Sequence, residues 1–300
     1  MSLAKRGILN SIASKNDHDH AWQRLEALGL AEYFLHPQIN WQPKSGNIEA
    51  IAHQLNIGLD TFAFVDDNAF ELDQVSGALD MVACINIDEV ERIYDDPRFS
   101  GSATGDAKNR REYYRNAIRR EADQSSRKMD HAAFLASCEI KLDIQPFAES
   151  DLQRVSELVQ RTNQLNFSGR KYVASEIGHI IADDSLEKWV LKCSDKYGAY
   201  GTVGFCLARR GQEEIRVEDF MLSCRVQGKF IEQAFFDFLC RFQPDNTPGT
   251  LSINFKPTAR NRPAQSVLEQ LRFSNTPGGQ GLCLDLSEHA LTCDFIEVIS

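Results

Sequence analysis

The segment at residues 61–68 constrains the fold more than any other part of this sequence. An apolar run through Val65 leads directly into Asp66, Asp67 and Asn68. Such a short run is typical of a strand buried on both faces of a parallel sheet, and ligand-binding groups follow the carboxyl ends of those strands. The two adjacent carboxylates are candidate Mg²⁺ ligands, because hard oxygen atoms suit that cation. They could equally cap the helix that follows.

Two further positions in the first hundred residues carry side chains suited to a phosphate group. An apolar run over residues 8–14 predicts a second buried strand, and it ends in Ser14, whose hydroxyl group could donate to a phosphoryl oxygen. Lys44 lies between an irregular turn and a helical pattern, where its charge could neutralise phosphate or acidic groups. A lysine that is only exposed to solvent and binds nothing could occupy the same position. The order strand, helix, lysine loop, helix, strand predicts a parallel sheet with right-handed crossovers.

Composition narrows the class of protein. Three hundred residues suggest two domains, and the formal net charge of −10 argues against general nucleic-acid binding. No apolar run approaches the length of a membrane span. The eight cysteines include no CxxC pair, so we expect reduced thiols packed in the core and a cytoplasmic location. We therefore predict a soluble protein without nucleic-acid or membrane partners.

The three positions described above occur in the order of a known family. Ser14, Lys44 and the Asp66–Asp67 pair resemble the second, third and fourth motifs of the haloacid-dehalogenase (HAD) phosphotransferase superfamily. The sequence is most similar to the FkbH-like subgroup of polyketide synthase systems in SKND at 14–17, NWQPKSGNI at 40–48 and LNIGLDTFAFVDDN at 55–68. The resemblance implies a Rossmann-like HAD domain over residues 1–100. In it, Asp66 would bind Mg²⁺ with support from Asp67, while Ser14 and Lys44 would hold the transferring phosphoryl group.

The sequence departs from the HAD pattern in one respect. The family opens with a strand ending in DxDxT, whose first aspartate is the phosphoryl-accepting nucleophile, and this motif is missing here. We therefore expect a truncated HAD domain that lacks phosphatase activity by itself, within a larger parent protein. The missing strand is the central one in the family. We expect the strands of Ser14 and Asp66 either to pair directly or to take a strand from another chain, which could be self-association.

Residues 101–138 are predicted to be a helical linker rich in arginine. Its basic side chains could bind a phosphopantetheine group or an acidic carrier protein. They could instead form a solvated helix face with ion pairs to glutamates one turn away. The arginines concerned are Arg110, Arg111, Arg115, Arg119 and Arg120.

Residues 139–300 show strand and helix patterns in an order that resembles the GNAT acyltransferase fold. The order is one strand, two helices, three antiparallel strands, helix, strand, helix, strand. Residues 225–230 (RVQGKF) fit most of the family's R/Q-x-x-G-x-G/A loop, whose glycine turn presents N–H groups to a phosphate. The resemblance implies that Arg225, Gly228 and Lys229 bind coenzyme A or phosphopantetheine. Phe230 replaces the last small residue, which argues against tight coenzyme A binding.

Five more residues of this half are candidates for chemistry. Cys224 could take an acyl group as a thioester, or could be a packed thiol. Glu218 or the adjacent Asp219 could be a general base, and strand alternation lets only one of them face a cleft. Asn163 and Asn166, in a stretch similar to the FkbH-like family, could bind a pantetheine or glyceryl hydroxyl group, or cap a helix end.

The resemblance implies one enzyme activity, and two alternatives remain open. In the FkbH-like family, a glyceryl unit from the three-carbon substrate 1,3-bisphosphoglycerate is dephosphorylated and loaded onto an acyl carrier protein for polyketide-type biosynthesis. The first alternative is a non-catalytic module that docks a carrier protein within a synthase. The second is a coenzyme A-dependent N-acetyltransferase.

Overall fold

The computed structural model describes residues 2–101, 104–127, 129–242, 249–276, 281–287 and 291–300. The chain forms two compact units, Met1–Ile118 (unit 1) and Arg119–Ser300 (unit 2). The boundary between them lies inside the 22-residue helix Gly105–Ser126. The three-part division into residues 1–100, 101–138 and 139–300 stays a prediction.

Unit 1 alternates short strands with helices, as the sequence patterns predict. Its strands are β1 (Ala13–Ser14), β2 (Gln38–Ile39), β3 (Ala63–Asp66) and β4 (Ala83–Asn86). Its helices are α1 (Ser2–Lys5), α2 (His18–Ala27), α3 (Lys44–Leu55), α4 (Ala69–Ala78) and α5 (Gly105–Ser126), which continues into unit 2. Asn68 caps α4 by accepting a hydrogen bond from the N–H of Phe70.

The strands of unit 1 form two separate parallel pairs. β1 pairs with β2, and β3 pairs with β4 across the α4 crossover. Ala13 of β1 nevertheless packs in the same two hydrophobic clusters as Phe62, next to β3. Direct pairing of β1 with β3, one of the two expected outcomes, is therefore wrong for the described residues. A strand supplied by another chain stays a prediction, and the pairs establish an α/β unit without establishing a complete HAD sheet.

Unit 2 follows the order of elements read from the sequence. Its strands are β5 (Ile140–Pro146), β6 (Glu187–Asp195), β7 (Gly198–Arg210), β8 (Glu214–Leu222), β9 (Thr250–Ile253), β10 (Ser274–Asn275), β11 (Leu282–Asp285) and β12 (Ile296–Ile299). Its helices are α6 (His131–Ala136), α7 (Leu152–Arg161), α8 (Ala174–Ala182), α9 (Ile231–Arg241) and α10 (Arg262–Gln270). The short strands β10 and β12 were not anticipated from the sequence.

One mixed sheet organises unit 2. The strand order is β10-β11-β9-β8-β7-β6-β5-β12, with parallel pairing for β8–β9 and β5–β12 and antiparallel pairing elsewhere. Phe220 stacks on Phe235 and contacts Phe236 at a tilted angle in the larger hydrophobic cluster, which includes the buried side of α9. Val155 and Met221 belong to a second cluster formed with α7 and α8. Helices thus cover both faces of the sheet, which confirms a mixed α/β fold for this half.

Candidate functional site

The carboxyl ends of the short strands in unit 1 bring Lys44 and Asp66 together. Lys44 is the first residue of α3 and Asp66 the last residue of β3. The Lys44 ammonium group donates to Asp66 Oδ2 at 2.6 Å, and the two side chains are only 12% and 10% exposed. Ser14 ends β1 in the same unit. The structure therefore joins two of the predicted residues in a nearly buried ion pair.

Asp66 is held as a carboxylate. Burial opposes its ionisation, but the hydrogen bond from Lys44 and the one from the N–H of Asn68 at 3.0 Å outweigh that effect. The pKa of Asp66 therefore lies below its ordinary value. Asp67 is exposed at the beginning of the turn into α4. Its side chain adds to the lowering of the Asp66 pKa.

The residues present do not by themselves fit a metal ion. The described residues contain no group of three or more His, Cys, Asp or Glu side chains placed to hold one. One of the two predicted Mg²⁺ ligands, Asp66, is already neutralised by Lys44. Mg²⁺ usually needs near-octahedral oxygen ligation. The predicted site at Asp66 and Asp67 is thus incomplete in this chain, and no reaction step is derived through a metal.

A second lysine–carboxylate pair in unit 1 was missed from the sequence. Lys15, directly after β1, donates to Glu71 Oε1 at 2.7 Å. Glu71 is 7% exposed, and among the described residues its Oε2 atom has no hydrogen-bond partner. Glu71 looks like an ordinary residue of the first turn of a helix, so the sequence carried no signal for this pair.

Replacing Lys44 with methionine should raise the pKa of Asp66. An adjacent cation favours the carboxylate form, so removing this one should raise the pKa of Asp66, because burial, which opposes ionisation, is then offset less. NMR titration of the Asp66 carboxyl carbon would measure the change. Lys15→Met is the matched control, since it removes the other ion pair of unit 1 and should leave Asp66 unaffected. Equal behaviour of Asp66 in both variants would contradict a direct Lys44–Asp66 interaction.

In unit 2, the strands β8 and β9 pair along only part of their length. The parallel register joins Glu214–Val217 of β8 to Thr250–Ile253, while β8 continues to Leu222. The remaining part of β8, residues 218–222, has its free edge covered by residues 165–167. The N–H of Phe167 donates to the Phe220 carbonyl at 3.1 Å, and the N–H of Leu222 donates to the Leu165 carbonyl at 3.0 Å. We call residues 165–167 the wedge.

The wedge also reaches the chain beyond β9. The N–H of Lys256 donates to the Phe167 carbonyl at 3.1 Å, and Asn261 donates through its amide group to the Asn166 carbonyl at 2.9 Å. Asn166 is 2% exposed and Phe167 is fully buried. The space between diverging strands is therefore filled by the protein's own backbone. A ligand that pairs with this half of β8 would have to displace the wedge.

The two asparagines have different environments. The amide group of Asn166 donates to the Arg170 carbonyl, and its side-chain oxygen accepts from the N–H of Gly169, so this side chain holds the loop after α7. Asn166 therefore has a structural role in the loop, but it caps neither α7 nor α8. Asn163 is exposed. Ligand binding by either residue stays a prediction.

Asp219, rather than Glu218, is the buried acid of β8. Asp219 is 1% exposed and accepts hydrogen bonds from the hydroxyl groups of Tyr172 and Ser168. Burial raises its pKa, against the effect of these two hydroxyl donors. Glu218 lies instead 3.4 Å from Arg209 and 3.5 Å from Arg216, on a more accessible face. Strand alternation alone could not decide which carboxylate was buried.

The loop before α9 places two arginines at one carbonyl group. Arg225 donates to the Thr202 carbonyl at 3.2 Å and to the hydroxyl of Ser223 at 3.1 Å. Arg154 of α7 donates to the same Thr202 carbonyl at 3.0 Å. Glu157, 3.4 Å from Arg154, offsets part of this charge. Arg154 was not among the predicted site residues, because its partner lies on a distant strand.

Gly228 and Phe230 shape the rest of this loop. Gly228 has φ +72°, in the left-handed region that favours glycine, and Phe230 has φ 60° at the beginning of α9. His131 contacts the Gly228 carbonyl at 2.9 Å through its Nε2 atom. Cys224 is half-buried, and its role as an acyl acceptor stays a prediction.

Lys229 and Glu232 flank the beginning of α9. Lys229 is half-buried, with its ammonium group 5.9 Å from the centre of the Tyr200 ring. Burial and the charge of Arg120 lower its pKa. Glu232 is 3% exposed, and burial raises its pKa to about 7. Sequence reasoning named Lys229 but missed Glu232, which occupies an ordinary acidic position in a first helical turn.

The cysteines behave as core thiols. All eight are free, and four of them are buried. Burial raises the pKa of Cys193 and Cys240 to about 12 and that of Cys293 to about 11. These thiols are therefore poor nucleophiles near neutral pH. The prediction of packed core thiols holds for the four buried cysteines, whereas the other four are half-buried.

Helix α5 uses its arginines mainly within the protein. Arg115 lies 3.6 Å from Glu32, and Arg111 stacks 4.3 Å above the Tyr33 ring. Arg120 is buried and binds Asp195 through two hydrogen bonds. These partners lie outside the helix, so the contacts differ from the solvated face with ion pairs one turn away; a pair of that kind is Arg115 with Glu112 at 3.7 Å. Among the described helices, none has the length and apolar character needed to cross a membrane.

Comparison with known proteins found a likeness to solved structures alone. No family model matches the chain, and no curated protein matches it. The ribosomal-protein-S18-alanine N-acetyltransferase from Escherichia coli is similar at 13% identity, with 47% of this chain and 89% of that chain covered and a TM-score of 0.34. A domain from Methanocaldococcus jannaschii DSM 2661 gives 13% identity, 49% and 99% coverage and a TM-score of 0.40.

A third similar structure is the aminoglycoside acetyltransferase AAC(6′)-Ib in complex with coenzyme A. It gives 12% identity, 49% and 95% coverage and a TM-score of 0.37. Each likeness covers about half of this chain. Because all three TM-scores are below 0.5, these likenesses carry no argument about the chemistry of this protein. Its function has to be argued from its own side chains.

Proposed function

We propose that unit 2 transfers an acyl group carried as a pantetheine thioester. The observation that carries the proposal is the convergence of Arg154 and Arg225 on the Thr202 carbonyl, beside the beginning of α9. Two guanidinium groups at one carbonyl repel each other, and an anion would relieve that repulsion. Planar guanidinium groups suit phosphate oxygens, and a helix begins close by. Phosphopantetheine and coenzyme A both supply such a phosphate.

The transfer itself needs one acceptor group. A nucleophilic acceptor attacks the thioester carbonyl carbon, a bond forms between them, and the carbon–sulfur bond breaks. The acceptor's proton leaves with the pantetheine sulfur, which becomes a thiol. The buried Asp219 already accepts hydrogen bonds from the hydroxyl groups of Ser168 and Tyr172, so it is less suited to take that proton. Glu218 is 29% exposed at its side chain and is the more accessible base on β8.

The finer proposal follows from the FkbH-like resemblance. In it the acyl unit would be glyceryl or a related short hydroxyacyl group, and the step would run in the loading direction. The pantetheine thiol of an acyl carrier protein of polyketide-type biosynthesis would attack the carbonyl carbon of the acyl phosphate and form the carbon–sulfur bond. The carbon–oxygen bond to phosphate would break, phosphate would leave, and the thiol proton would pass to the base. Unit 1 would then contribute Ser14 and Lys44 to binding a phosphorylated three-carbon substrate, with Asp66 holding the Lys44 side chain in place. Coenzyme A is the other possible source of the thioester, as in an N-acetyltransferase. Phe230, which takes the place of the last small residue of the loop, favours the carrier protein over tight binding of coenzyme A.

Replacing Arg225 with alanine should weaken binding of the pantetheine phosphate. A charge-assisted contact of this kind is worth about 1.5–3 kcal/mol, so the dissociation constant should rise at least about tenfold. Isothermal titration with coenzyme A, with a holo acyl carrier protein and with its apo form would measure this. We expect a large loss for coenzyme A or the holo carrier, and a small one for the apo carrier.

A matched control is Arg216→Ala, which removes a 45% exposed arginine of β8 and should leave all three affinities unchanged. Equal losses for holo and apo carrier would place Arg225 in the protein contact or the fold. Binding of both carrier forms without transfer would favour the docking module. Absence of binding by the unmodified protein to every probe would end the proposal.

A further inference from the structure

We infer that Lys229 and Glu232 form a subsite for a ligand that carries a hydroxyl group close to a phosphate. The pantoyl part of phosphopantetheine has this chemistry, since a short branched chain joins its phosphate ester to its hydroxyl group. The inference rests on the proposed function and deepens it. It assigns a role to Glu232, which the sequence analysis did not single out.

The first observation is an unpartnered acceptor. Glu232 is 97% buried, since only 3% of it is exposed, and among the described residues its Oε1 atom has no hydrogen-bond partner. Its own backbone N–H is the hydrogen-bond donor that acts on the carboxyl group. Leaving a polar acceptor buried without a partner is costly, so such atoms in folded proteins usually meet a donor from water or a ligand. A ligand hydroxyl group is a donor of the required kind.

The second observation is a cation without an acceptor. The ammonium group of Lys229 faces the Tyr200 ring at 5.9 Å, and no described residue accepts a hydrogen bond from it. An ammonium group has three donors, so a half-buried one has strong capacity for an anion. Phosphate oxygens accept such hydrogen bonds with charge assistance.

The two groups act on each other without meeting. Lys229 and Glu232 are three residues apart at the beginning of α9, and the positive charge of Lys229 lowers the pKa of Glu232. No ion pair within 4 Å joins them among the described residues, and Lys229 lies outside the helix, which begins at Ile231. A donor for Glu232 and an anion for Lys229, presented by one ligand, would satisfy both groups. A bare phosphate ion would satisfy only Lys229.

The test measures three probes on the full chain by isothermal titration: 4′-phosphopantetheine, pantetheine and inorganic phosphate. Lys229→Met should weaken the binding of 4′-phosphopantetheine at least about tenfold and leave the affinity for pantetheine unchanged, because only the phosphate contact is lost. Glu232→Met should weaken the binding of both 4′-phosphopantetheine and pantetheine about tenfold, because both ligands carry the hydroxyl group. Lys192→Met, a lysine of β6 bound to Gln145, is the matched control and should change nothing.

The outcomes separate this inference from the proposed function. If the unmodified protein binds 4′-phosphopantetheine while both variants bind it within twofold, the subsite is wrong and the acyltransferase proposal survives. If the unmodified protein binds none of the probes, both this inference and the proposed function are wrong. Should Glu232→Met not fold, Glu232→Gln takes its place with an expected loss of about fivefold, because a neutral acceptor binds a hydroxyl group less strongly. Unchanged binding in that variant would equally overturn the inference.

Discussion

Replacing Arg120 with methionine should lower the free energy of unfolding of the protein by about 3–5 kcal/mol. The Arg120 side chain is 6% exposed, and it donates to both carboxylate oxygens of Asp195 at 2.7 and 3.1 Å. Asp195 is fully buried and also accepts from the hydroxyl of Tyr200 at 2.7 Å. The variant therefore leaves a carboxylate inside the protein without its cation. Urea unfolding followed by circular dichroism would measure the loss.

Two comparisons make this test specific. Arg127→Met removes an exposed arginine of the same helical region, 2.9 Å from Asp123, and should cost less than about 1 kcal/mol. Combining Arg120→Met with Asp195→Asn should restore part of the stability, because the unpaired charge is then absent. A loss as small as that of Arg127→Met would mean that solvent reaches Asp195 in solution.

Stability should fall as the pH rises through the range set by Glu232. Burial raises the pKa of Glu232 to about 7 in the folded protein, against 4.5 for an ordinary glutamate. The folded state therefore holds a proton that the unfolded state has lost between these two values. The free energy of unfolding should decrease from about pH 4.5 upward and level off above about pH 7, with a total of about 3 kcal/mol from this group.

Glu232→Gln should remove this part of the pH dependence. Chemical unfolding at pH 5.5 and pH 8.0 would give the two free energies, and the drop between them should be smaller in the variant than in the unmodified protein. Asp219 also has a raised pKa, so the comparison between the two proteins matters more than either curve alone. Parallel curves for both proteins would show that Glu232 stays solvated.

Much of unit 2 follows from local patterns in the sequence. Ile140, Leu142 and Ile144 alternate with polar residues, and all three are buried on β5 as predicted. The order of strands and helices was predicted for the same reason, since an apolar face has a period of two in a strand and near four in a helix. In unit 1, Asp66 follows a strand because an apolar run precedes it. These features depend on residues close together in the chain.

The contacts that define the candidate sites depend on residues far apart. Lys44 and Asp66 could be brought together by reasoning about strand ends, because both follow strands of one α/β unit. Lys15 and Glu71 form the same kind of pair with no comparable signal. The wedge required knowing where β8 leaves β9. The sequence does not indicate which segment of the chain will cover the free edge of β8. Only tertiary packing places residues 165–167 there.

The sequence by itself determined which segments of this chain form strands and helices, since hydrophobic periodicity and turn residues act locally. It also determined the candidate groups at strand ends, such as Ser14 and Asp66. Only the tertiary structure decided which charged groups became buried and which of them found partners. Arg120 meets Asp195 across 75 residues of sequence, whereas Glu232 keeps an unpartnered oxygen. The reason is physical. Burial of a charged group depends on the whole core around it, whereas hydrophobic periodicity in the sequence indicates only the face of the helix or strand on which the residue lies.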